Sequence, residues 1–434
     1  MRQGLLLAGI SLAFATNPTA PRPGAAIYFA AATPFDALAS DAARMPRGDD
    51  VNRLPGLDVL RAIAIVWVMI FHSYIIGGWG HFGGIEQNGW MGVDLFFVLS
   101  GFLIGSQVLK PLAEGRTFSF ADFYQRRAFR ILPAYLVVVA AYFIWPSVRE
   151  QGELQPLWQF LSFTVNLLID AKDHLAFSHV WSLCVEEHFY LLFPLLAWWL
   201  ARRPSVRRFV LVCTAVVLAG MLVRGVMWVW ELAPLAGLDQ NSYGKTFLER
   251  IYYPTWSRLD GLLMGVMLAT ARVYRPVLWS RWGRHANGFL LAGVAVVGGA
   301  IMLFRDRTGF IPTVVGYPLL SFGLGLLVLA GAQTSGVLAR LRVPGAGWLA
   351  AVSYSLYLSH KAVFHLVESA AGEQLDGHGL LTFAAYASAV LGVGALLHYG
   401  VERPFLRLRT RVLHQAPAAA HASGLMAGAG TDAA

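Results

Sequence analysis

The chain has 434 residues, of which 56% are hydrophobic and only 14% charged. Soluble domains carry about 25% charged residues, so a chain with a mean hydropathy of +0.55 has too few charges to solvate a globular surface. That excludes an ordinary soluble protein. The net charge of +9 reads as basic loop charge on a membrane protein rather than as a nucleic-acid surface, and no nucleic-acid partner is expected.

Residues 4–15 form a short apolar run behind Arg2. The pattern is like a signal peptide and is too short to cross a bilayer, which takes about twenty residues. Residues 16–56 are rich in Ala, Pro and Asp without helical period and are expected to be disordered. Translation starting at Met45 is an alternative reading of the same segment. The organisation expected is a segment at 1–53, a membrane domain at 54–412 and a disordered Ala/Gly-rich tail at 413–434.

Apolar runs of spanning length then recur at 57–77, 91–110, 129–147, 184–201, 208–230, 257–272, 286–304, 314–333, 348–369 and 380–401. The expected fold is all-α, a polytopic transmembrane bundle of about ten spans. Loop charge sets its orientation. Lys110, Arg116, Arg126, Arg127 and Arg130 follow the second run, and Arg202, Arg203, Arg207 and Arg208 follow the fourth. Arginines also cluster after the sixth, eighth and tenth runs, whereas the alternate loops carry only Arg149, Lys172, Lys245, Arg250, Arg305 and Arg307. The alternation places both termini in the cytoplasm. Cys184 and Cys213 form no disulfide framework or zinc motif and read as small core residues.

Ionisable residues inside a span cost about 2.5–3.5 kcal/mol each on insertion scales, so each requires a reason. Arg61 and His72 lie eleven residues apart in the first run. At about 100° per residue they share one helical face, about 16 Å apart along the axis. Asp58 lies on the same face, within reach of Arg61. Ser100 and Gly101 in the second run suit hydrogen bonding and close helix packing. Glu186 and Glu187 open the fourth run about 100° apart, so one can face the bundle interior. His179, Glu186 and His188 fit no common metal-ligand spacing, and no metal is expected. His360 is a further ionisable group in the ninth run. Glu402 and Arg403 read as a local ion pair closing the tenth. Buried Arg, His and Glu would also suit a proton-coupled carrier, but no internal repeat or pair of broken helices is visible.

Seven stretches in order resemble the membrane-bound acyltransferase family 3, the group that includes O-antigen and exopolysaccharide O-acetyltransferases. They are LDVLRAIAIVWVMIFHS (57–73), GVDLFFVLSGFLI (92–104), RRAFRILPAY (126–135), HVWSLCVEEHFYLLFPLL (179–196), SRLDGLLMGVMLA (257–269), SYSLYLSHKAV (353–363) and ERPF (402–405). The resemblance implies an enzyme of the inner membrane that moves an acyl group, with acetyl favoured, from acyl-CoA to a hydroxyl of a carbohydrate or lipid-linked glycan. Acyl-CoA is then a co-substrate, and no resident cofactor is expected. The family's arginine–ten residues–histidine motif falls on Arg61 and His72, its paired arginines on Arg127 and Arg130, and its key acid on Glu186. His72, Glu186 and Arg61 are the candidate catalytic residues. Arg127, Arg130, Ser100, Trp181 and His360 are the candidate substrate-binding residues. One departure is His188, where the family usually has Gln. No hydrolase-like second domain follows the tenth run, which reads as a stand-alone membrane enzyme.

Overall fold

The computed structural model describes residues 54–77, 84–203 and 205–413. The signal-like run, most of the Ala/Pro-rich stretch and the tail beyond 413 lie outside them. Among the described residues the protein is helical, with one isolated bridge between Gly152 and His174 in place of any strand.

The main helices are α1 (Pro55–Ile76), α2 (Met91–Ala113), α3 (Phe120–Ile144), α4 (Trp181–Ala201), α5 (Val206–Met227), α6 (Asp260–Tyr274), α7 (Pro276–Gly283), α8 (Ala286–Leu303), α9 (Tyr317–Gly331), α10 (Ala346–Leu375) and α11 (Leu380–Leu397). Local signals set several ends. Pro55 opens α1 at a position where its missing N–H costs nothing. Ser119 caps α3 by accepting the Asp122 N–H, and Ser205 caps α5 through Arg208.

Each apolar run lies on a helix, and two of these helices depart from a simple span. Among the described residues, eight helices are long and apolar enough to cross a membrane. The sixth run yields only the fifteen-residue α6, which meets α7 at 108°. Pro276 explains the break: it lacks an N–H and pushes Arg275 out of the helical region, to φ −133° and ψ 56°. Counting the bent pair as one crossing gives nine. The ninth run is α10, which is long enough but carries Ser353, Ser355, Ser359, His360 and Lys361 along its buried face. Those polar residues look into protein rather than lipid, as intramembrane ionisable groups require.

The bundle is built around α2. In its apolar window 72% is buried, against 22% for α5 and α8, so α2 is the central helix and those two are peripheral. Its contact with α6 is a backbone-to-backbone approach. A Cβ on Gly101 would lie 2.0 Å from the Leu262 carbonyl oxygen, and one on Gly265 would lie 2.3 Å from that of Val98. Small residues at such crossings let helices approach in a membrane, where dispersion rather than water exclusion drives packing. The packing expected of Gly101 is therefore present.

Two ion pairs lock the same region. Arg258, just before α6, donates to both oxygens of Asp94 on α2 at 2.9 and 3.0 Å. Arg224 of α5 donates to Asp260 at the start of α6 at 2.8 and 3.2 Å, and to the Ser257 and Val314 carbonyls. All four side chains are buried.

Candidate active site

One cavity gathers five of the sequence-predicted residues. Arg61 comes from α1, Ser100 from α2, Arg127 and Arg130 from α3, and Glu186 from α4, and all five line it. Helical spacing explains the convergence. Arg127 and Arg130 are three residues apart on one face of α3, as are Tyr354 and Tyr357 on α10, while Ser182, Glu186 and Tyr190 follow one another every four residues on α4. All these residues line the cavity. Ser100 donates to Glu186 at 2.7 Å, and Tyr190 also hydrogen-bonds Glu186. The Arg127 guanidinium lies 5.8 Å from the Tyr190 ring centre and that of Arg130 lies 5.9 Å from Tyr354, within cation–π range. The cavity encloses about 150 Å³, below the ~300–1,000 Å³ of pockets that engulf a whole drug-sized ligand.

The other three candidates do not line this cavity. Trp181 packs 6.0 Å from Phe97 and 4.9 Å from Tyr252, with the Arg258 guanidinium 5.3 Å from its ring. It belongs to the aromatic box around the Asp94–Arg258 pair. His72 and His360 meet each other instead. Nδ1 of His72 lies 3.0 Å from Nε2 of His360. The His179 ring stands 5.0 Å from His360 and 6.2 Å from His72. Beside this trio, Lys361 is ion-paired with Glu150 at 2.8 Å and donates to Ser178.

The shared face of Arg61 and His72 thus serves two polar regions rather than one continuous lining. Tyr357 joins them. It lines the cavity, its hydroxyl bonds Ser182 at 2.6 Å and the His179 carbonyl at 2.8 Å, and its ring is 5.7 Å from that of His360. A second cavity, between α1, α10 and α11, is apolar and contains none of the candidates.

The reading of Glu402 is corrected by the geometry. It does not pair with its neighbour Arg403, which lies against the Tyr399 ring. Glu402 instead accepts from Arg130 on α3, from Ser355 at 2.7 Å, and pairs with His398 at 2.9 Å. A π-helical turn over His398–Glu402 carries the carboxylate inward at the end of α11; such turns recur at functional sites. His188 points to the Thr255 hydroxyl, 2.7 Å away, outside the cavity lining. His179, Glu186 and His188 therefore face three different surroundings.

Sequence reasoning missed Tyr190, Tyr354, Tyr357, Ser182 and Glu402. The only signal for them was spacing. The two α10 tyrosines repeat at i and i+3, and Ser182 and Tyr190 flank Glu186 at i−4 and i+4.

Fold and site together define a multi-pass membrane protein with an arginine-lined internal cavity beside a buried cluster of histidines. The chain belongs to the acyltransferase 3 family, described as an acyltransferase domain, which it matches over residues 54–399. It is 27% identical over 335 residues to O-acetyltransferase OatA of Staphylococcus aureus (strain NCTC 8325 / PS 47), covering 73% of this chain and 51% of that one. It is 26% identical over 334 residues to the putative peptidoglycan O-acetyltransferase YrhL of Bacillus subtilis (strain 168), covering 72% and 49%. It is 25% identical over 390 residues to the putative O-acetyltransferase SACOL0978 of S. aureus (strain COL), covering 84% and 59%. The chain spans about half the length of the first two relatives. No solved structure matches it significantly.

Proposed function

We propose that this chain is an inner-membrane O-acyltransferase that moves an acyl group, acetyl by analogy with its named relatives, from acyl-CoA to a hydroxyl of a carbohydrate or lipid-linked glycan. The convergence of Arg61, Arg127 and Arg130 with Glu186 and Ser100 in one cavity, beside a histidine pair, is the observation that carries the reading. Guanidinium forks suit the phosphates of CoA, and the narrow cavity suits its pantetheine arm. In this reading the loop arginines face the cytosol, where acyl-CoA is made, and ten crossings leave both termini there.

A thioester is already activated, so positioning and a base supply most of what remains. His72 takes the proton of the acceptor hydroxyl as its oxygen bonds to the acyl carbon. The carbon–sulfur bond then breaks, and His72 returns the proton to the departing CoA thiolate. Glu186, held by Ser100 and Tyr190, balances the charge of the arginines that hold the CoA end. The nucleotide of CoA stays on the donor side, and the thioester end passes Tyr357 to reach His72.

Purified full chain in lipid nanodiscs, given radiolabelled acetyl-CoA, should release CoA and transfer label to glycan. His72→Ala should reduce this by at least about a hundredfold. A carrier would show neither reaction, and full activity in a correctly inserted His72→Ala variant would falsify the assignment of the base.

A further inference from the structure

We infer that His360 is a positioning residue rather than a substrate contact: it fixes His72 in the tautomer whose Nδ1 bears the proton and whose Nε2 faces the reaction as a base. The inference rests on the proposed role of His72. Its geometric basis is independent of that role.

Each of the two rings turns its Nδ1 toward backbone carbonyl oxygens. His360 Nδ1 lies 2.8 Å from the Tyr357 oxygen and 3.2 Å from that of Leu356. His72 Nδ1 lies 3.1 Å from the Val68 oxygen. A carbonyl oxygen can only accept, so both Nδ1 atoms carry hydrogen. A neutral imidazole has one N–H, which makes His360 Nε2 a bare acceptor. It lies 3.0 Å from His72 Nδ1 and shares that hydrogen with the Val68 oxygen. The opposite assignment would turn a lone pair of each ring against a carbonyl inside the bundle, leaving buried groups unsatisfied. One tautomer pair therefore satisfies all these contacts.

The consequence falls on the remaining nitrogen. Among the described residues His72 Nε2 has no hydrogen-bond partner, so its lone pair is available. His360 is fully buried, which leaves water no access to replace it. When His72 gains a proton, its Nδ1–H bond to His360 becomes charge-assisted and strengthens. The arrangement assigns His360 the part an orienting carboxylate plays beside a catalytic histidine. The neighbouring groups are compatible with neutral rings. His179 turns its Nε2 toward the Leu358 carbonyl at 3.4 Å, and Lys361 is neutralised by Glu150.

The test uses the full chain in nanodiscs and two readouts. With nitrogen-15 labelled histidine, solid-state NMR above the ring's titration range should show the His72 signal, identified by its loss in His72→Ala, as the Nδ1–H form. In His360→Leu, with only the Val68 carbonyl left to accept from Nδ1 at 3.1 Å, a fraction of the same signal should move to the Nε2–H form. In turnover of acetyl-CoA, His360→Leu should lower kcat by about a hundredfold or more with the KM for acetyl-CoA unchanged. His360→Gln, whose Oε1 can accept where Nε2 did, should retain kcat within about tenfold. An Nε2–H signal for His72 in the parent chain, equal kcat in the Leu and Gln variants, or a change confined to KM would each overturn the inference. Inactive His72→Ala with active His360→Leu would refute the positioning role alone. Active His72→Ala would refute the base itself.

Discussion

Arg258 donates to both carboxylate oxygens of Asp94, at 2.9 and 3.0 Å, from the last residues before α6 to the first turn of α2. The guanidinium also lies 4.3 Å from the Tyr317 ring centre and 4.6 Å from that of Tyr252. The pair therefore ties α2, α6, α9 and the Tyr252 segment together at the first turn of α2. Breaking a buried pair by removing one partner strands the other charge, at a cost of about 3–5 kcal/mol. Arg258→Met should lower the melting temperature markedly, and Asp94→Leu added to it should recover part of the loss. Cys184 and Cys213 are free and buried, so a thiol-reactive dye reports the transition.

The arginine cavity makes a separate prediction about the donor. A hydrogen bond to a charged group contributes about 1.5–3 kcal/mol, which is tenfold to about a hundredfold in affinity. Arg127→Gln and Arg130→Gln should each raise the KM for acetyl-CoA by that much with little change in kcat. If the contact is to the ribose phosphate, 3′-dephospho-acetyl-CoA should show no such penalty. Glu402→Gln should move KM in the same direction as Arg130→Gln, because Glu402 holds that guanidinium. A Glu402→Gln variant with unaltered KM would show that Arg130 needs no anchor.

The sequence made the helices legible because lipid imposes one requirement on all of them, about twenty apolar residues with every backbone group paired internally. It was less informative where a helix serves protein rather than lipid. The edge of α6 depended on Pro276, and the apolar run alone ended elsewhere. The cavity was legible in Arg61, Ser100 and Glu186, since ionisable or polar residues within apolar runs advertise themselves, and in Arg127 and Arg130 through the paired-arginine motif of the family they resemble. Tyr357 and Ser182 are ordinary in such a run. Glu402 paired with a residue 272 positions away, a relationship that no local pattern contains. The helical period placed Arg61 and His72 on one face correctly. It could not say that α10 would supply His360 to one and Tyr357 to the surroundings of the other.

The α2–α6 crossing predicts a sharp contrast between glycines. A Cβ on Gly265 would sit 2.3 Å from the Val98 oxygen and 2.4 Å from the Phe102 nitrogen, both backbone atoms that cannot swing aside. Gly265→Ala should therefore destabilise by about 1–3 kcal/mol or more, the usual range for overpacking. Gly244, in the short helix Gln240–Phe247, has nothing within 4 Å of its would-be Cβ. Gly244→Ala should stabilise by about 0.4–1 kcal/mol through the unfolded chain. Thermal denaturation of the two variants side by side should give shifts of opposite sign.

The last prediction concerns α10, the long helix whose polar face sets it apart from the eight apolar ones. If α10 crosses the bilayer in the orientation proposed, Val343 before it lies in the cytosol and His378 after it lies outside. Both positions are exposed, and the two native thiols are buried, so single cysteines introduced there can be read without background. His378→Cys in intact spheroplasts should react with a membrane-impermeant maleimide, whereas Val343→Cys should react only after permeabilisation. Leu238→Cys, in the exposed loop after α5, should behave as His378→Cys does. The physical ground is the buried row of Ser355, Ser359, His360 and Lys361, which a crossing helix can carry only by turning it into protein, where Ser355 meets Glu402, His360 meets His72 and Lys361 meets Glu150. Labelling of Val343→Cys and His378→Cys from the same side would mean that α10 enters and leaves through one face, and the acyl group would then need another path past Tyr357.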